Sequence, residues 1–387
     1  MGLRHLLRVV VPVTVAALTM GSGLTAAQAS SAPGWRIVKV YGASAGNPLL
    51  QGVTASGPSD AWVSGTAFRG LVIDHWNGTG WKRLAVPGTF TIQGSGGVND
   101  DVIGAASARD MWTFPAVSNA TTTVNYALHW NDGKWQSFKL RGPFAILNTA
   151  VFSSSNAWAF GVAPMKNPPG LGYGPPYTLR YNGLAWKRVS MPGTALGVSP
   201  LSANDIWAFG PTAKTAGRTI QDMVAMHWNG RSWTTLAVPR YRMSGRQAIL
   251  QQLIALGRSN LWAVEGLPVN PGSGQPPAPG LILVHWNGHR WSSVIKDALD
   301  NGAGGLVADG HGGVWLQAVA ARSGVPVFLH YSGGRLSRVR EPSRTGFTAS
   351  GISDAVLIPG TMSLWAVGAI ASATGGTGEA AILKYGR

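Results

Sequence analysis

The sequence predicts an all-β protein in which seven copies of one four-stranded unit form a ring. Three observations lead to this prediction. A tryptophan recurs seven times at spacings of 46 to 55 residues, an HWNGxxW string or a variant of it recurs between these tryptophans, and the two chain ends each hold half of one further string. Self-similarity with a period of about 20 to 50 residues is the signature of a repeat architecture.

Composition limits the classes of protein and site that need to be considered. The chain has 387 residues, with 31 Lys and Arg against 15 Asp and Glu, 17 Trp and no Cys, and 45% of its residues are hydrophobic. This apolar content is sufficient for a packed core and argues against disorder. The lack of Cys excludes disulfides, zinc–thiolate sites, iron–sulfur clusters and cysteine nucleophiles. We expect no cofactor.

Residues 1–29 have the pattern of a secretory signal peptide. Arg4 and Arg8 precede the apolar stretch 9–20, and the small-residue run 25–29 ends in an A-x-A site before Ser30. A membrane anchor would need about 20 apolar residues, more than this stretch provides. We therefore expect cleavage after Ala29, a single domain over residues 30–387 with no membrane span, and a secreted protein that can associate with the cell wall.

Every tryptophan of the chain falls at a repeat position. The first class consists of Trp62, Trp112, Trp158, Trp207, Trp262, Trp315 and Trp365. The second class lies in the HWNGxxW strings and their variants: Trp76 with Trp81, Trp130 with Trp135, Trp228 with Trp233, Trp286 with Trp291, and the weaker copies Tyr181 with Trp186 and Tyr331 with Leu336. The seventh string is split between Tyr385, near the end of the chain, and Trp35, near the start of the predicted mature chain.

Each unit contains two predicted β-hairpins. In the HWNGxxW strings an aliphatic run leads into the aromatic residue, and Asn-Gly predicts a two-residue type I′ turn. The first-class tryptophans follow turn segments such as 57–60, where Asp60 suits a side-chain-capped turn. Two hairpins give four antiparallel strands, and seven such units predict a seven-bladed β-propeller. The split seventh unit predicts closure of the ring by pairing of the N- and C-terminal strands.

The repeats resemble those of known propeller families over residues 34–387. They are most similar to the Trp-rich repeats of secreted actinobacterial proteins that carry SxxDxWAVG and HWNGxxW, and they are distantly similar to kelch and WD repeats. The kelch Gly-Gly doublet and the Trp-Asp dipeptide do not recur. Residues 78–81 resemble a sialidase Asp-box, but aromatic residues replace its Ser-x-Asp, so the resemblance implies no sialidase activity.

Strand alternation places the Asn-Gly turns on one face of the ring and the longer connections on the other. The long connections are 163–176, 211–222 and 267–280 within units, and 88–101 and 240–246 between units. Binding residues concentrate on variable loops of rigid scaffolds, so we expect binding by Tyr173, Tyr177, Tyr241 and Arg242. The alternative is that these loops are tolerated surface insertions.

One repeat unit differs from the other units at a position close to these loops. The fourth residue of the segment that begins with the first-class Trp is Gly65, Gly161, Gly210 or Gly368 in four units, but Glu265 in the fifth. Glycoside cleavage needs two carboxyl groups. If the protein is an enzyme, Glu265, Asp222 and Asp300 are the catalytic candidates of a glycan-active hydrolase or lyase, and Asp100 and Asp101 are further loop carboxylates.

The recurring histidines of the HWNGxxW strings are expected to be structural. They occur once per unit, at positions too far apart in a ring to supply the three or four converging ligands of a zinc ion. We therefore predict no metal site. No G-x-S-x-G elbow is present to support serine nucleophile chemistry.

The strands after the Asn-Gly turns are rich in Lys and Arg and contain two acidic residues, Asp297 and Glu341. Charged residues on outer strands protect a sheet edge against aggregation. The alternative is a positive rim that attracts an anionic polymer through a salt-dependent field. Nucleic acid is not an expected partner, because no recognition helix or RNA-binding signature is present.

Together these patterns predict a monomeric, secreted, non-enzymatic binding or interaction scaffold. Its expected ligand is a glycan, a cell-wall polymer or an extracellular protein bound at the long-loop face.

Overall fold

The computed structural model contains seven antiparallel sheets that form the blades of a β-propeller, and one separate two-stranded sheet. It describes residues 33–42, 48–68, 70–90, 97–99, 102–119, 121–142, 144–165, 173–215, 222–243, 246–266, 281–297, 300–320, 326–339, 343–344, 347–372 and 378–386. Pro33–Arg387 forms one compact unit. The described part contains strands and two short 3₁₀ helices, Gly88–Phe90 and Ala213–Thr215, and no α-helix. The predicted fold class is confirmed.

Within a blade the strands follow one another in sequence and in space, and we label them a to d from the centre of the ring outward. Blade 1 is Leu49–Gly57, Asp60–Ala67, Gly70–Trp76 and Trp81–Arg83; blade 3 is Ala145–Ser153, Asn156–Val162, Pro176–Tyr181 and Trp186–Val189; blade 4 is Gly197–Ser202, Asp205–Pro211, Met223–Trp228 and Trp233–Ala237. Blade 5 is Ile249–Gly257, Asn260–Gly266, Leu281–Trp286 and Trp291–Asp297; blade 6 is Asp300–Ala308, Val314–Ala320, Pro326–Ser332 and Arg335–Val339.

Blade 2 is the irregular one, with strands Ile103–Ser107, Asp110–Thr113, Thr123–Asn131 and Lys134–Leu140. Its strand b breaks after Thr113 and resumes as Ala116–Ser118, which also pairs with Gly97–Asn99. Pro115 lies in the break and has no N–H to donate to the ladder. The structure also contains two pairings that involve two-residue strands. Arg242–Met243 pairs with Arg246–Gln247, and Ser343–Arg344 pairs with strand a of blade 7.

Blade 7 closes the ring with both ends of the chain. Its strands a, b and c are Phe347–Leu357, Leu364–Ser372 and Glu379–Gly386, and its strand d is Gly34–Tyr41. Strand d pairs antiparallel with strand c, so that Trp35 lies opposite Tyr385 and Tyr41 opposite Ala380. The strands a of neighbouring blades contact one another all round the ring, including blade 7 with blade 1. Pairing of the terminal strands is thus as the sequence predicts.

The antiparallel order gives the propeller two faces. The a–b and c–d turns lie on one face, which we call the turn face. The b–c connections and the connections between blades lie on the other, which we call the loop face. This assignment follows from the strand order of every blade.

The Asn-Gly turns differ from the predicted two-residue turns. Residues 77–80 connect Trp76 to Trp81, which lie directly opposite each other, and Asn77 does not have a positive φ. Its Oδ1 instead accepts the N–H groups of Thr79 and Gly80 at 3.1 and 3.0 Å. The same side-chain cap recurs at Asn182, Asn229 and Asn287. The type I′ prediction is wrong in these four blades because an Asn side chain can replace the tight turn's backbone bond.

The strand-b tryptophans pack at the interfaces between neighbouring blades. Trp112 of blade 2 is fully buried and contacts the aromatic pair of blade 3, with its ring centroid 5.0 Å from Tyr181 and 5.2 Å, edge to face, from Trp186. Aromatic residues of the c–d hairpin of each blade contact the strand-b tryptophan of the preceding blade all round the ring. In blade 6, where Leu336 stands at the second aromatic position, Tyr331 makes this contact. At the closure, Trp76 and Trp81 of blade 1 enclose Trp365 of blade 7.

The other face of each strand-b tryptophan is covered by its own blade. His75 stacks on Trp62 at 3.8 Å, and its Nε2 lies 2.7 Å from Asp60 Oδ1. Equivalent stacks occur at His129, His227, His285 and His330. Where the histidine is absent, a cation takes its place: Arg180 over Trp158 and Lys384 over Trp365, both at 5.0 Å. The recurring histidines therefore bind an Asp or Asn of their own blade and cover a tryptophan.

A buried carboxylate ties the closing strand to blade 1. Asp74, in strand c of blade 1, has no exposed side-chain surface and accepts hydrogen bonds from Lys39 and Tyr41 of the closing strand, both at 2.5 Å, and from Arg83. Burial alone would raise the pKa of Asp74, but the hydrogen bonds from Lys39, Tyr41 and Arg83 outweigh burial and hold the pKa below its usual value. The closure thus has an ionic contact beside its strand pairing.

We expect Trp112→Ala to lower the free energy of unfolding by about 3 to 5 kcal/mol, because it removes a fully buried indole between two blades. Urea denaturation of the variant and the wild type measures this change. Leu184→Ala is the control, since Leu184 is 87% exposed on the turn face and its truncation should cost no more than about 0.5 kcal/mol. Equal effects of the two substitutions would contradict the role given to the strand-b tryptophans.

We expect Asp74→Asn to destabilise the protein by about 2 kcal/mol at neutral pH, because it weakens charge-assisted hydrogen bonds to the closing strand. Since the folded-state pKa of Asp74 is lowered, its contribution to stability is present above the ordinary value of 3.8 and is lost as the pH falls through the lowered value. The difference in the free energy of unfolding between wild type and Asp74→Asn should therefore become smaller at acid pH, and urea denaturation at a series of pH values measures it. Asp132→Asn, which alters an exposed ion pair with Arg109, is the control. If the difference in unfolding free energy stayed constant down to acid pH, the ionised Asp74 carboxylate would not stabilise the closing strand as described.

Candidate functional site

Much of the loop face lies outside the described residues. This holds for 166–172, 216–221 and 267–280 within the long connections, and for Asp100 and Asp101. The described parts place Glu265, Tyr241 and Arg242 at the junction of blades 4 and 5, and Tyr177 at the junction of blades 2 and 3. The expected binding residues Tyr173, Tyr177, Tyr241 and Arg242 therefore belong to two regions of this face.

Glu265 occupies a position where other blades exclude a side chain. A Cβ added to Gly65, Gly161, Gly210 or Gly368 would lie 1.9 to 2.4 Å from a carbonyl oxygen of strand a of the same blade or, for Gly210, of Thr194 just before that strand. Strand a of blade 5 must therefore leave room for the Cβ of Glu265. The side chain lies opposite Leu250 and Ile282, which belong to the apolar cluster between blades 4 and 5.

The Glu265 carboxyl group is almost completely enclosed. The residue is 1% exposed, its Oε2 accepts the Tyr241 N–H at 3.4 Å, and its Oε1 has no hydrogen-bond partner among the described residues. Burial raises the pKa of Glu265 to about 7, against the opposing effect of the Tyr241 N–H. No other charged group of the described chain contributes to this rise. The carboxyl group thus holds its proton to a higher pH than an exposed glutamate does, and it is shielded from a substrate in solution.

The structure gives no pairing of the other candidate carboxylates with Glu265. Asp222 is exposed and forms an ion pair with Arg240 at 2.7 Å. Asp300 begins strand a of blade 6, and its side chain lies outside the described part. Proton transfer to or from a glycosidic bond would require two carboxyl groups that both reach the substrate. Burial of Glu265 does not meet this requirement, and the catalytic role of the three residues stays a prediction.

The four expected binding residues differ in how firmly they are held. The Tyr177 hydroxyl donates to the Arg141 carbonyl at 3.0 Å, and its ring stacks on Phe144 at 4.1 Å. Tyr241 packs partly buried against the cluster between blades 4 and 5. Tyr173 and Arg242 are exposed. Tyr173 and Arg242 are thus the better placed of the four to contact a ligand, and their roles stay predictions.

Among the residues that the structure describes, no group of three or more His, Asp or Glu side chains is arranged to hold a metal ion. Of the recurring histidines, His285 differs in that its partner is neutral, with Nε2 2.8 Å from Asn260 Oδ1. Burial lowers the pKa of His285.

No helix of the described chain is long and apolar enough to cross a membrane.

The central channel holds a cavity of about 510 Å³, lined by strands a of blades 3 to 7. Asp354 of blade 7 lines it and accepts the N–H groups of Val53, in blade 1, and Ala355, both at 2.9 Å. Burial raises the pKa of Asp354 to about 7, against these two hydrogen bonds. Because Val53 and Asp354 belong to the first and last blades, this contact joins the innermost strands at the closure.

A second cavity, of about 460 Å³, opens on the turn face between blades 6 and 7, where no site is expected from the sequence. We call it the turn-face pocket. Blade 6 contributes Asp309, His311, Trp315, His330 and Ser332, and blade 7 contributes Pro33, Met362, Ser363, Tyr385 and Gly386.

The turn-face pocket exists where blade 6 lacks the usual turn. In blade 1 the Asn-Gly loop covers the a–b turn so closely that a Cβ on Gly78 would lie 3.0 Å from the Cβ of Ser59, and blades 3, 4 and 5 have the same approach. In blade 6 a tight Gly333-Gly334 turn replaces that loop, and a Cβ at either glycine would meet nothing within 4 Å. The a–b turn of blade 6 therefore stays uncovered.

The polar groups of the turn-face pocket form a fixed arrangement. His330 Nε2 lies 2.9 Å from Asp309 Oδ2, and Asp309 Oδ1 accepts the N–H groups of His311 and Gly313 at 2.7 and 2.8 Å. Burial alone would raise the pKa of Asp309, but these hydrogen bonds and His330 outweigh burial and hold the pKa below its usual value. The carboxylate is therefore satisfied by the protein itself.

Sequence comparison of the units contains a signal for this pocket. Unit 6 has Leu336 where six units have a tryptophan at the second aromatic position, and it has Ser332-Gly333 in place of Asn-Gly, with a further glycine, Gly334, after them. These departures are visible before the fold is known, but their convergence on one opening depends on which turns share a face.

Basic side chains surround the ring on its outermost strands. Those that are exposed on strands d, and on the residues next to their ends, are Arg36, Lys82, Arg83, Lys134, Lys139, Arg141, Lys187, Arg188, Arg231, Arg290, Arg335 and Arg338. We call this set the basic belt. The side chains of Asp297 and Glu341 lie outside the described part. The belt runs along the circumference because strand d is the outermost strand of every blade.

Comparisons with solved structures agree with the fold. The chain is similar to YCF48 from Cyanidioschyzon merolae, with a TM-score of 0.50 and 14% identity over 92% of this chain and 98% of that one. It is also similar to an inactive variant of virginiamycin B lyase from Staphylococcus aureus, with a TM-score of 0.54 and 11% identity over 91% and 99% of the two chains.

A third similar structure is acylaminoacyl peptidase from Pyrococcus horikoshii, with a TM-score of 0.51 and 10% identity over 88% of this chain and 51% of that one. No protein-family model matches the sequence, and no curated protein matches it. At these identities the similarity establishes the propeller fold and not an activity.

We expect Glu265→Gln to change how stability depends on pH. The folded-state pKa of about 7 lies above the ordinary value of 4.5, so the contribution of Glu265 to stability is present below that ordinary value and is lost as the pH rises through about 7. Wild type should therefore lose stability relative to the variant between about pH 5 and pH 8. Urea denaturation at a series of pH values measures this.

Asp222→Asn is the matched control, because Asp222 is an exposed carboxylate of the same face. Its stability should follow the wild-type pH dependence. Parallel curves for wild type and Glu265→Gln would show that the Glu265 carboxyl group is not shielded as described.

Proposed function

We propose that the protein is a secreted, non-enzymatic binding scaffold that holds an anionic polymer of the cell surface on its basic belt. The same scaffold presents the loop face, with Tyr173, Tyr177, Tyr241 and Arg242, to a glycan or protein partner. The observation that carries the proposal is the exposure of basic side chains on the outer strands around the ring.

The sign of the charge favours binding over edge protection alone. Charged side chains, and Lys above all, keep sheet edges apart, whereas most residues of the belt are Arg. The belt is also almost entirely basic in sequence. A one-sign surface raises the local concentration of oppositely charged partners. A polymer with regularly spaced phosphate, sulfate or carboxylate groups could contact several blades at once, which adds affinity without a deep pocket.

The alternative function is a glycan-active hydrolase or lyase that uses Glu265 with Asp222 or Asp300. Two observations weigh against it: Glu265 is buried between blades 4 and 5, and Asp222 forms an ion pair with Arg240. A binding function needs neither carboxylate, and it uses surfaces that are exposed.

We expect the mature protein to be retained on a poly(glycerol phosphate) matrix at low salt and released at moderate salt, because ions screen the attraction between exposed charges. Lys134→Gln/Lys187→Gln should be released at lower salt than wild type, since it removes two belt charges from blades 2 and 3. Arg109→Gln/Arg240→Gln is the matched control, because it removes two charges that already have acidic partners.

Retention that is indifferent to salt, or equal shifts for the two double variants, would argue against the belt as the binding surface. A heparin matrix run in parallel distinguishes a preference for phosphate from a response to any polyanion. The polymer is recovered after incubation and its length is measured, since shortening would favour the hydrolase or lyase alternative.

A further inference from the structure

We propose that the turn-face pocket between blades 6 and 7 binds a neutral glycosyl residue. This inference rests on the proposed function of the protein as a binding scaffold, and it adds a second, uncharged ligand at a separate site. It places a glycan on the turn face, opposite to the face where the long loops lie.

The size of the pocket suits a small ligand. Its volume of about 460 Å³ lies within the range of about 300 to 1,000 Å³ that is usual for small-molecule sites. The opening is formed by elements of two adjacent blades. The belt residue Arg36 donates a hydrogen bond to the carbonyl oxygen of Gly386, which lines the pocket.

The walls have the mixed character that a sugar ring requires. Tyr385, Met362 and Pro33 supply aromatic and apolar surface, against which the C–H face of a pyranose can pack, while Trp315 is buried at the wall of the pocket. Polar groups are few and lie among them, which is the usual arrangement in pockets that orient a ligand. His311, Ser332 and Ser363 are the groups that can exchange hydrogen bonds with sugar hydroxyls.

The charge of the pocket favours a neutral ligand. Neither Lys nor Arg is among the described residues that line it, in a chain whose formal net charge is +16. The lining carboxylate, Asp309, is already bound by His330 and by two backbone N–H groups. An anionic sugar would find no cation among these lining residues, and a cationic ligand would compete with the existing contacts of Asp309.

The pocket is formed before any ligand binds. Gly310, with a φ of +84°, lies so close to blade 7 that a Cβ there would come within 2.5 Å of the Thr361 carbonyl oxygen. The a–b turns of blades 6 and 7 are thereby held together, while Trp315 is enclosed by His330 at 4.1 Å and Tyr385 at 4.4 Å. A preformed site avoids part of the entropic cost of binding.

The test is calorimetric titration of the mature protein with three neutral disaccharides: cellobiose, maltose and N,N′-diacetylchitobiose. We expect at least one of them to bind saturably and independently of salt. His311→Ala should weaken binding about fivefold, the effect of losing one hydrogen bond. Ser332→Phe should abolish binding by filling the pocket. Leu184→Ala, on the turn face of blade 3, is the control and should bind as wild type does.

Thermal unfolding of each variant verifies that the fold is retained. Binding of none of the three disaccharides, or binding that survives both pocket substitutions, would overturn the inference. Titration with p-cresol tests the ligand class. If this aromatic compound bound and the sugars did not, the pocket would be an aromatic site and not a glycosyl site. Lys134→Gln/Lys187→Gln should bind the disaccharides as wild type does. The proposal for the turn-face pocket and the proposal for the basic belt can therefore fail independently of each other.

Discussion

The structure depends on the enclosure of one indole ring per blade. Each strand-b tryptophan is covered on one side by a histidine, arginine or lysine of its own blade and contacts one or two aromatic side chains of the next blade. Because every such tryptophan joins two blades, seven equivalent contacts close on themselves around the ring. A chain without cysteine thus obtains its cohesion from buried aromatic area, which is large for each ring and favours edge-to-face geometry.

The sequence predicts this architecture well because the repeat constrains each position seven times over. Trp62 and its equivalents could be aligned, and the half-strings at Trp35 and Tyr385 required closure. The turn at Asn77 could not be predicted correctly, since Asn-Gly suits either a two-residue turn or a longer loop capped by the Asn side chain. The role of Asp74 also escaped prediction, because Lys39 and Tyr41 are its neighbours only after the ring has closed.

Sites of functional interest lie where a unit departs from the others. Glu265 stands out in sequence as a replacement for glycine, but only the fold reveals that its carboxyl group lies among the apolar residues between blades 4 and 5. Blade 6 stands out by its Gly333-Gly334 turn, and only the arrangement of turns on one face reveals the opening beside His330. Sequence comparison of units therefore identifies the unusual residues, while side-chain surroundings decide whether they can meet a ligand.

The closing strand has a consequence for the order of folding. Gly34–Tyr41 is synthesised before any other strand of the propeller, yet its partner Glu379–Gly386 is synthesised last. Its hydrogen-bonding groups have no native strand to pair with until the whole chain is available. A polypeptide that terminates early would leave both this first strand and the edge of the incomplete ring as templates for intermolecular pairing. Synthesis of the chain through Gly386 is therefore a precondition for protection against aggregation, as well as for the native topology.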